Sequence, residues 1–258
     1  MGLGDEIMVT ALAKKNRRKF QLPSTVWGKD GNPRMHPVWE NNPNILTPQQ
    51  YQEMYDAPGD IMHCSVIRNH PGRRHYIDWT RSTPDRWIFQ PWDIEPGEIY
   101  FDKEEEFFRN AARPDKFDVL LDPGVKAGRE NKMWPSRYWD ALATGIDRQI
   151  TPHWHINNPD KSDNIRYWLA DLTRYKLIIC HEGGLHHAAA ALGIPCIVLF
   201  GGFISPDITG YTLPNTQNLT HAKEFCGMIR PCQHCRDEME KIKPEEVMEH
   251  VKDLLHVS

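Results

Sequence analysis

Leu177-Ile178-Ile179-Cys180-His181-Glu182-Gly183-Gly184-Leu185-His186-His187-Ala188-Ala189-Ala190-Ala191-Leu192-Gly193-Ile194-Pro195-Cys196-Ile197-Val198-Leu199-Phe200-Gly201-Gly202 is the stretch that decides the fold. An apolar run through Cys180 reads as a buried strand. The alanine-rich segment Leu185–Leu192 then reads as a helix, stopped by Gly193-Ile194-Pro195, and Cys196–Phe200 as the next strand. A strand, a helix and a strand in this order require a crossover, hence a parallel sheet. Open parallel sheets bind ligands beyond the carboxyl ends of their strands, which places the turn at Glu182–Gly184 where a ligand would sit.

The residues of that turn suit an anionic ligand. Gly183 and Gly184 let backbone approach a diphosphate, and the helix beginning near Leu185 aims unpaired N–H groups and its positive dipole end at the same point. His186 and His187 lie in the first helical turn, where one can donate to a phosphate oxygen, and Glu182 can accept from ribose hydroxyls. Glycines alone would fit a plain strand-to-helix turn equally well; the paired histidines and the acid favour the ligand. Gly201 and Gly202, following the second strand, fit another loop over a ligand pocket, although taken alone a plain turn fits them better.

Outward from this core the alternation continues. Phe117–Leu121 reads as a buried strand ending in Asp122-Pro123-Gly124, Trp134–Ile146 and Asn164–Tyr175 as helices, and Pro244–Leu255 as a final amphipathic helix. Residues 1–108 read irregularly. A short helix is expected from Asp5 to about Lys15 and a strand at Ser24–Trp27, followed by a Pro/Asn/Trp-rich loop from Asn32 to Asn44. Tryptophans 39, 79, 87 and 92, with Arg34, His36, Arg73, Arg74 and Arg86, suit sugar rings and phosphates, although aromatic packing accounts for each one singly. A domain boundary is expected near residues 109–116, dividing the chain into 1–112 and 113–258.

The N-terminal Gly2-Leu3-Gly4-Asp5-Glu6 places two glycines before an acid at a helix start. Asp5 fits an N-cap, and equally a general base that removes a proton from an acceptor hydroxyl. The cluster Lys14, Lys15, Arg17, Arg18, Lys19 fits a solvated helix end, with an anionic acceptor or membrane surface as the alternative.

Composition sets the outer bounds. The chain has 258 residues, 40% hydrophobic and 26% charged, as in an ordinary globular protein, with a net charge of −4 that disfavours broad binding to nucleic acid. Its apolar runs are too short for a membrane helix, and the N-terminus lacks a signal-peptide core, so the expected location is cytoplasmic. Of six cysteines, Cys226, Cys232 and Cys235 cluster. They fit a structural zinc site with a fourth ligand such as His221, a single disulfide, or free thiols.

Taken together, Gly2-Leu3-Gly4-Asp5, Asn131-Lys132-Met133-Trp134-Pro135 with Arg137 and Trp139, and Glu182 to Pro195 followed by Leu199-Phe200-Gly201-Gly202 resemble glycosyltransferase family 9, the ADP-heptose:lipopolysaccharide heptosyltransferases and their relatives. The resemblance implies two facing Rossmann-like halves (the GT-B arrangement), with the N-terminal half reduced. It also implies inverting, metal-independent transfer from a nucleoside-diphosphate sugar, without a resident cofactor, to a lipopolysaccharide- or polysaccharide-type acceptor, at the inner face of the membrane. Asp5 falls on the family's general base and Lys132 on the lysine that neutralises the donor diphosphate. Glu182, Gly183, Gly184 and His187 fall on its nucleotide signature, although the family has Asp where Glu182 stands and a hydroxyl residue where Gly183 stands. Lys126 is a further candidate for the diphosphate, and for it a solvated surface charge fits at least as well. Three alternatives stay open: the same chemistry on a nucleic-acid base hydroxyl, a nucleotide-sugar epimerase or hydrolase, and a binding module without catalysis.

Overall fold

The computed structural model describes residues 2–56, 64–68, 75–110, 118–156 and 164–257. Its helices are α1 (Leu3–Phe20), α2 (Pro48–Tyr55), α3 (Lys103–Asn110), α4 (Ser136–Gln149), α5 (Ile165–Leu172), α6 (Gly184–Leu192), α7 (Pro206–Thr209), α8 (Gln233–Lys241) and α9 (Pro244–Leu255). The strands are β1 (Ser24–Trp27), β2 (Ser65–Arg68), β3 (Val119–Asp122), β4 (Trp154–Ile156), β5 (Leu177–His181), β6 (Cys196–Leu199) and β7 (Thr216–Leu219).

The last five strands form one parallel sheet in the order β4-β3-β5-β6-β7. Counting from β3, this is the doubly wound order 2-1-3-4-5, whose direction of progression reverses between β3 and β5. A crevice opens at such a reversal, because successive crossovers leave on opposite faces. The sheet is covered on both faces, which is why its central strands read as unbroken apolar runs. Leu120, Ile178, Cys180, Cys196 and Val198 face α5, α6 and the N-terminal region. Val119, Leu121, Ile179, Ile197 and Leu199 face the other way, onto Trp134, Trp139, Leu142 and Ile146 around α4 and Val247 and Val251 of α9.

The N-terminal region is built differently. Its sheet, among the described residues, is the parallel pair β1-β2. Ile7, Met8, Val9, Val26, Val38, Trp39, Ile45 and Ile77 are buried in the same apolar cluster as the first face of the large sheet. The expectation of a Rossmann-like N-terminal half is therefore met only by a two-stranded remnant, which shares its core with the C-terminal sheet. The expected division at 112/113 lies outside the described residues, as do Arg73 and Arg74.

Arg166 is the polar pin between the two regions. It is 3% exposed, and its guanidinium donates to both oxygens of buried Glu105 (2.6 and 2.5 Å) and to the carbonyls of Pro37 (2.9 Å) and Tyr100 (2.5 Å). A fork of donors this rigid can satisfy several buried acceptors at once, which a lysine cannot.

Helix α1 runs to Phe20, beyond the expected Lys15. Its basic end is tied down by an acidic segment, Lys14 to Glu98 (2.7 Å), Lys15 to Asp93 (2.8 Å) and Arg18 to Glu95 (2.5 Å). The cationic cluster thus serves largely to hold residues 93–98 against the helix. Cations in a last turn also suit the helix dipole.

Candidate functional site

A cleft of about 810 Å³ opens at the carboxyl ends of β3 and β5, the point where the sheet order reverses. One wall is the turn from His181 to Leu185 together with the segment after β3 that carries Lys126, Arg129 and Lys132. The opposite wall is the first turn of α1, from Gly2 to Asp5.

Two glycines set the distance between these walls. A Cβ on Gly4 would lie 2.5 Å from His187 Cδ2, and one on Gly184 would lie 3.0 Å from Leu3 Cβ. Helices α1 and α6 therefore cross backbone to backbone at their amino ends. Gly184 lines the cleft as well, so its missing side chain both admits α1 and leaves the cleft wall bare backbone. Gly183, by contrast, has only the His181 carbonyl within reach, at 4.0 Å, and faces open space.

Asp5 occupies the third position of α1, where its Oδ2 accepts from the Gly2 N–H at 2.9 Å. It is the inner half of a cap and not the N-cap itself, and its carboxyl group lines the cleft. Lys132 and Glu182 form an ion pair, with the lysine Nζ also 3.4 Å from the Glu182 carbonyl. Burial pushes the Glu182 carboxyl up, but Lys132 and His186 together bring it below its ordinary value. Lys126 is exposed at the cleft mouth.

The two adjacent histidines do different things. His186 is fully used by the protein: its Nδ1 accepts from the Gly183 N–H (2.9 Å) and its Nε2 lies 2.9 Å from the Thr209 carbonyl. It caps α6 from within and does not line the cleft, because its ring turns away toward α7. His187 does line the cleft, with Nδ1 set 2.6 Å from the Tyr211 hydroxyl. Burial, then the neighbouring His186 and Lys132, hold His187 well below its usual pKa. When Tyr211 donates to Nδ1, the proton of the neutral ring resides on Nε2.

Gly201 and Gly202 lie away from the cleft, against α8: a Cβ on the first would meet Met239 at 2.7 Å, and on the second His234 at 2.4 Å. Their expected part in covering the ligand is replaced by helix packing. Of the tryptophans, Trp87 lines the cleft beneath the Arg129 guanidinium (5.2 Å), whereas Trp39 is fully buried and donates to the Glu6 carbonyl (2.8 Å).

Three residues that the sequence alone did not single out join the site. Arg129 adds a second cation beside Lys132, and Asp122 a third carboxylate. His181 ends β5; the Trp134 N–H donates to its Nε2 (2.9 Å), which places the ring proton on Nδ1. That Nδ1 is buried without a hydrogen bond, turned toward the Gly124 backbone on the cleft side. Burial lowers the ring to about 4, so it stays a neutral donor.

No protein-family model matches the sequence, and no curated protein sequence does. Solved structures do match. The glycosyl transferase family 9 protein of Veillonella parvula aligns over 100% of this chain and 95% of its own, at 14% identity and TM-score 0.63. E. coli heptosyltransferase WaaC, solved with ADP, aligns over 98% of this chain and 97% of its own, at 10% identity and TM-score 0.52. Against E. coli ADP-heptose lps heptosyltransferase II the chain spans 56% of that protein's length, with 65% of its own covered, 18% identity and TM-score 0.43. At such identities the likeness is one of fold.

Proposed function

We propose that this chain, which has the fold of family 9 glycosyltransferases, moves a sugar from a nucleoside-diphosphate sugar to an acceptor hydroxyl of a glycan or glycolipid, with inversion. The N-terminal region then serves as a reduced acceptor half facing the nucleotide half across the cleft. The observation that carries this reading is the meeting of Asp5, on one wall, with Lys132, Arg129, His187 and the amino end of α6 on the other.

The division of labour follows from where charge develops. As the acceptor oxygen attacks the anomeric carbon, the bond to the diphosphate breaks and negative charge grows on the leaving phosphate. Donors fixed in advance around that oxygen lower the barrier most. Lys132 and Arg129 supply cationic donors, His187 a neutral ring N–H, and Gly184 and Leu185 the amides of a helix start. Asp5, held by Gly2 with one oxygen, takes the proton from the attacking hydroxyl with its carboxylate. Direct attack from the face opposite the leaving group inverts the anomeric centre. Glu182, paired with Lys132, holds the lysine in place until a phosphate shares it and is placed to meet the ribose.

Calorimetric titration with ADP, UDP, GDP and CMP identifies the nucleotide, and incubation of the matching sugar nucleotide with and without glycan acceptors reads transfer. Asp5→Asn should lower turnover by about 10²–10⁴-fold while nucleotide affinity stays nearly constant. Sugar release or isomerisation without an acceptor would replace transfer by hydrolysis or epimerisation, and turnover that survives Asp5→Asn would remove the base. The TM-scores of 0.63 and 0.52 over nearly the whole chain support the fold on which this reading rests. Among the described residues no helix is long and apolar enough to cross a membrane. We place the enzyme in the cytoplasm, where nucleotide sugars and a membrane-borne acceptor can both reach it.

A further inference from the structure

Behind the cleft wall, on the side of α8, the three clustered cysteines converge with a histidine. Cys226 Sγ lies 3.3 Å from Cys235 Sγ and 3.8 Å from Cys232 Sγ. A ring nitrogen of His234 and the sulfurs of Cys226 and Cys235 are all within 4.8 Å of one another. Zinc binds thiolate at about 2.3 Å, so two sulfurs of one tetrahedron stand about 3.8 Å apart, close to the spacing seen. The expected partner His221 is instead engaged with Glu246 (2.8 Å), so His234 takes its place.

The imidazole has a site made for it. His234 Nδ1 is buried and has no hydrogen-bond partner. A Cβ on Gly202 would lie 2.4 Å from His234 Cε1 and 2.6 Å from Nδ1, so the bare glycine lets the ring rest where it is. A disulfide would use two of the three thiols and satisfy neither the third nor the ring. One cation satisfies all four.

We propose that Cys226, Cys232, Cys235 and His234 bind one thiophilic divalent metal ion, zinc by geometry, which clamps the segment 226–229 that supports the cleft. The Cys226 N–H donates to the Gly202 carbonyl (2.8 Å) and the Trp87 N–H to the Gly227 carbonyl (2.9 Å). Gly227 has φ of +64°, and a Cβ there would lie 1.9 Å from the Trp87 carbonyl, so no other residue allows this contact. Asn131, next to Lys132, donates to the Met228 carbonyl (2.6 Å), and Arg129 to the Ile229 carbonyl (3.1 Å). The ion thus fixes the backbone against which Trp87, Arg129 and the Lys132 turn are positioned, and it takes no part in the reaction. The inference stands on its own geometry, apart from which nucleotide fills the cleft.

Metal content of the purified full chain is measured by plasma mass spectrometry, and the chelator-stripped chain is titrated with zinc alone and with cobalt alone. The expected result is about one zinc per chain, a melting temperature that falls on stripping and returns with zinc, and sulfur-to-cobalt charge-transfer bands with tetrahedral visible bands. Cys235→Ser should weaken zinc binding by more than about 100-fold. Because that buried variant can fail to fold, His234→Ala is measured beside it. It should lower zinc affinity and change the cobalt spectrum while circular dichroism stays that of the native chain. A purified chain without metal that takes up neither zinc nor cobalt would overturn the site, as would one equivalent retained unchanged in both variants.

Discussion

Replacing Gly4 by alanine tests the packing that forms the cleft. The added methyl would stand 2.5 Å from His187 Cδ2, with the Gly184 Cα also 3.5 Å away. Nonbonded carbons rest at about 3.5–4.0 Å, so α1 and α6 must separate by about 1 Å or the His187 ring must swing aside. Overpacking of this kind costs about 1–3 kcal/mol, part of it offset by the better helix propensity of alanine. A net loss of about 1–2 kcal/mol lowers the melting temperature of a chain of this size by about 2–8 °C. The assay is paired: differential scanning calorimetry for stability and nucleotide titration for the cleft, since the ring that must move is the one facing the ligand. Gly183→Ala is the control, because its nearest neighbour lies at 4.0 Å and its backbone is extended. It should shift the melting temperature by no more than about 2 °C. A Gly4→Ala chain as stable as the parent, with unchanged nucleotide affinity, would refute the close crossing of the two helices.

Other perturbations follow from the same geometry. Lys132→Ala should weaken nucleotide binding by about 10–100-fold, the worth of one charge-assisted hydrogen bond, and lower stability by stranding Glu182. Adding Glu182→Gln should restore the melting temperature but not the affinity, as titration of the double variant would reveal. Arg166→Met leaves Glu105 buried without its partner and should cost about 3–5 kcal/mol in urea unfolding; a loss under about 1 kcal/mol would mean that the pin is not needed. Stability should also fall on acidification. His181 is held neutral, with a folded pKa of about 4 against an ordinary 6.5, so the unfolded chain binds the extra proton between those values. Its contribution is complete above about pH 6.5 and is lost as the pH drops toward 4, about 2 kcal/mol of it between pH 7.5 and 5. His186 and His187 are shifted the same way by burial and add to the slope. Burial of Glu6 raises its pKa and works in the opposite sense. Equal unfolding free energies at pH 7.5 and 5 would contradict the neutral buried histidines.

The parts of the fold that could be read from the sequence were those buried on both sides. β5 and β6 are continuous apolar runs, and Gly193, at φ of +70°, ends the helix between them where Gly-Ile-Pro predicts. The edges were silent. β7, Thr216-Gln217-Asn218-Leu219, has three polar residues of four, as an edge strand can, and β4 is three residues long. Helix α8, Gln233–Lys241, buries only Cys235 and Met239 among its residues, so its period is too faint to see beside the cysteine pattern. The sequence pointed to Glu182 because it directly follows a buried strand and to His187 because it lies in the first turn of the next helix, while Lys132, in a short turn ten residues after β3, stood out only through the family resemblance. Tertiary contact decided the rest. Gly184, Gly201 and Gly202 look like loop glycines, yet each is small because a helix presses on it, and His186 resembles His187 until its ring is found bonded at both nitrogens. Arg129 became a candidate only when Trp87, 42 positions earlier in the chain, was found beneath it.

The central claim is that a nucleoside diphosphate rests against the amino end of α6. Hydrogen-exchange mass spectrometry of the full chain, with and without the nucleotide that titrates best, reads the amides of Gly183 to His187 directly. The account predicts that they slow markedly on saturation, together with the peptide carrying Arg129 and Lys132. A nucleotide that binds while those amides exchange at their free rate, and slows others elsewhere, would contradict it.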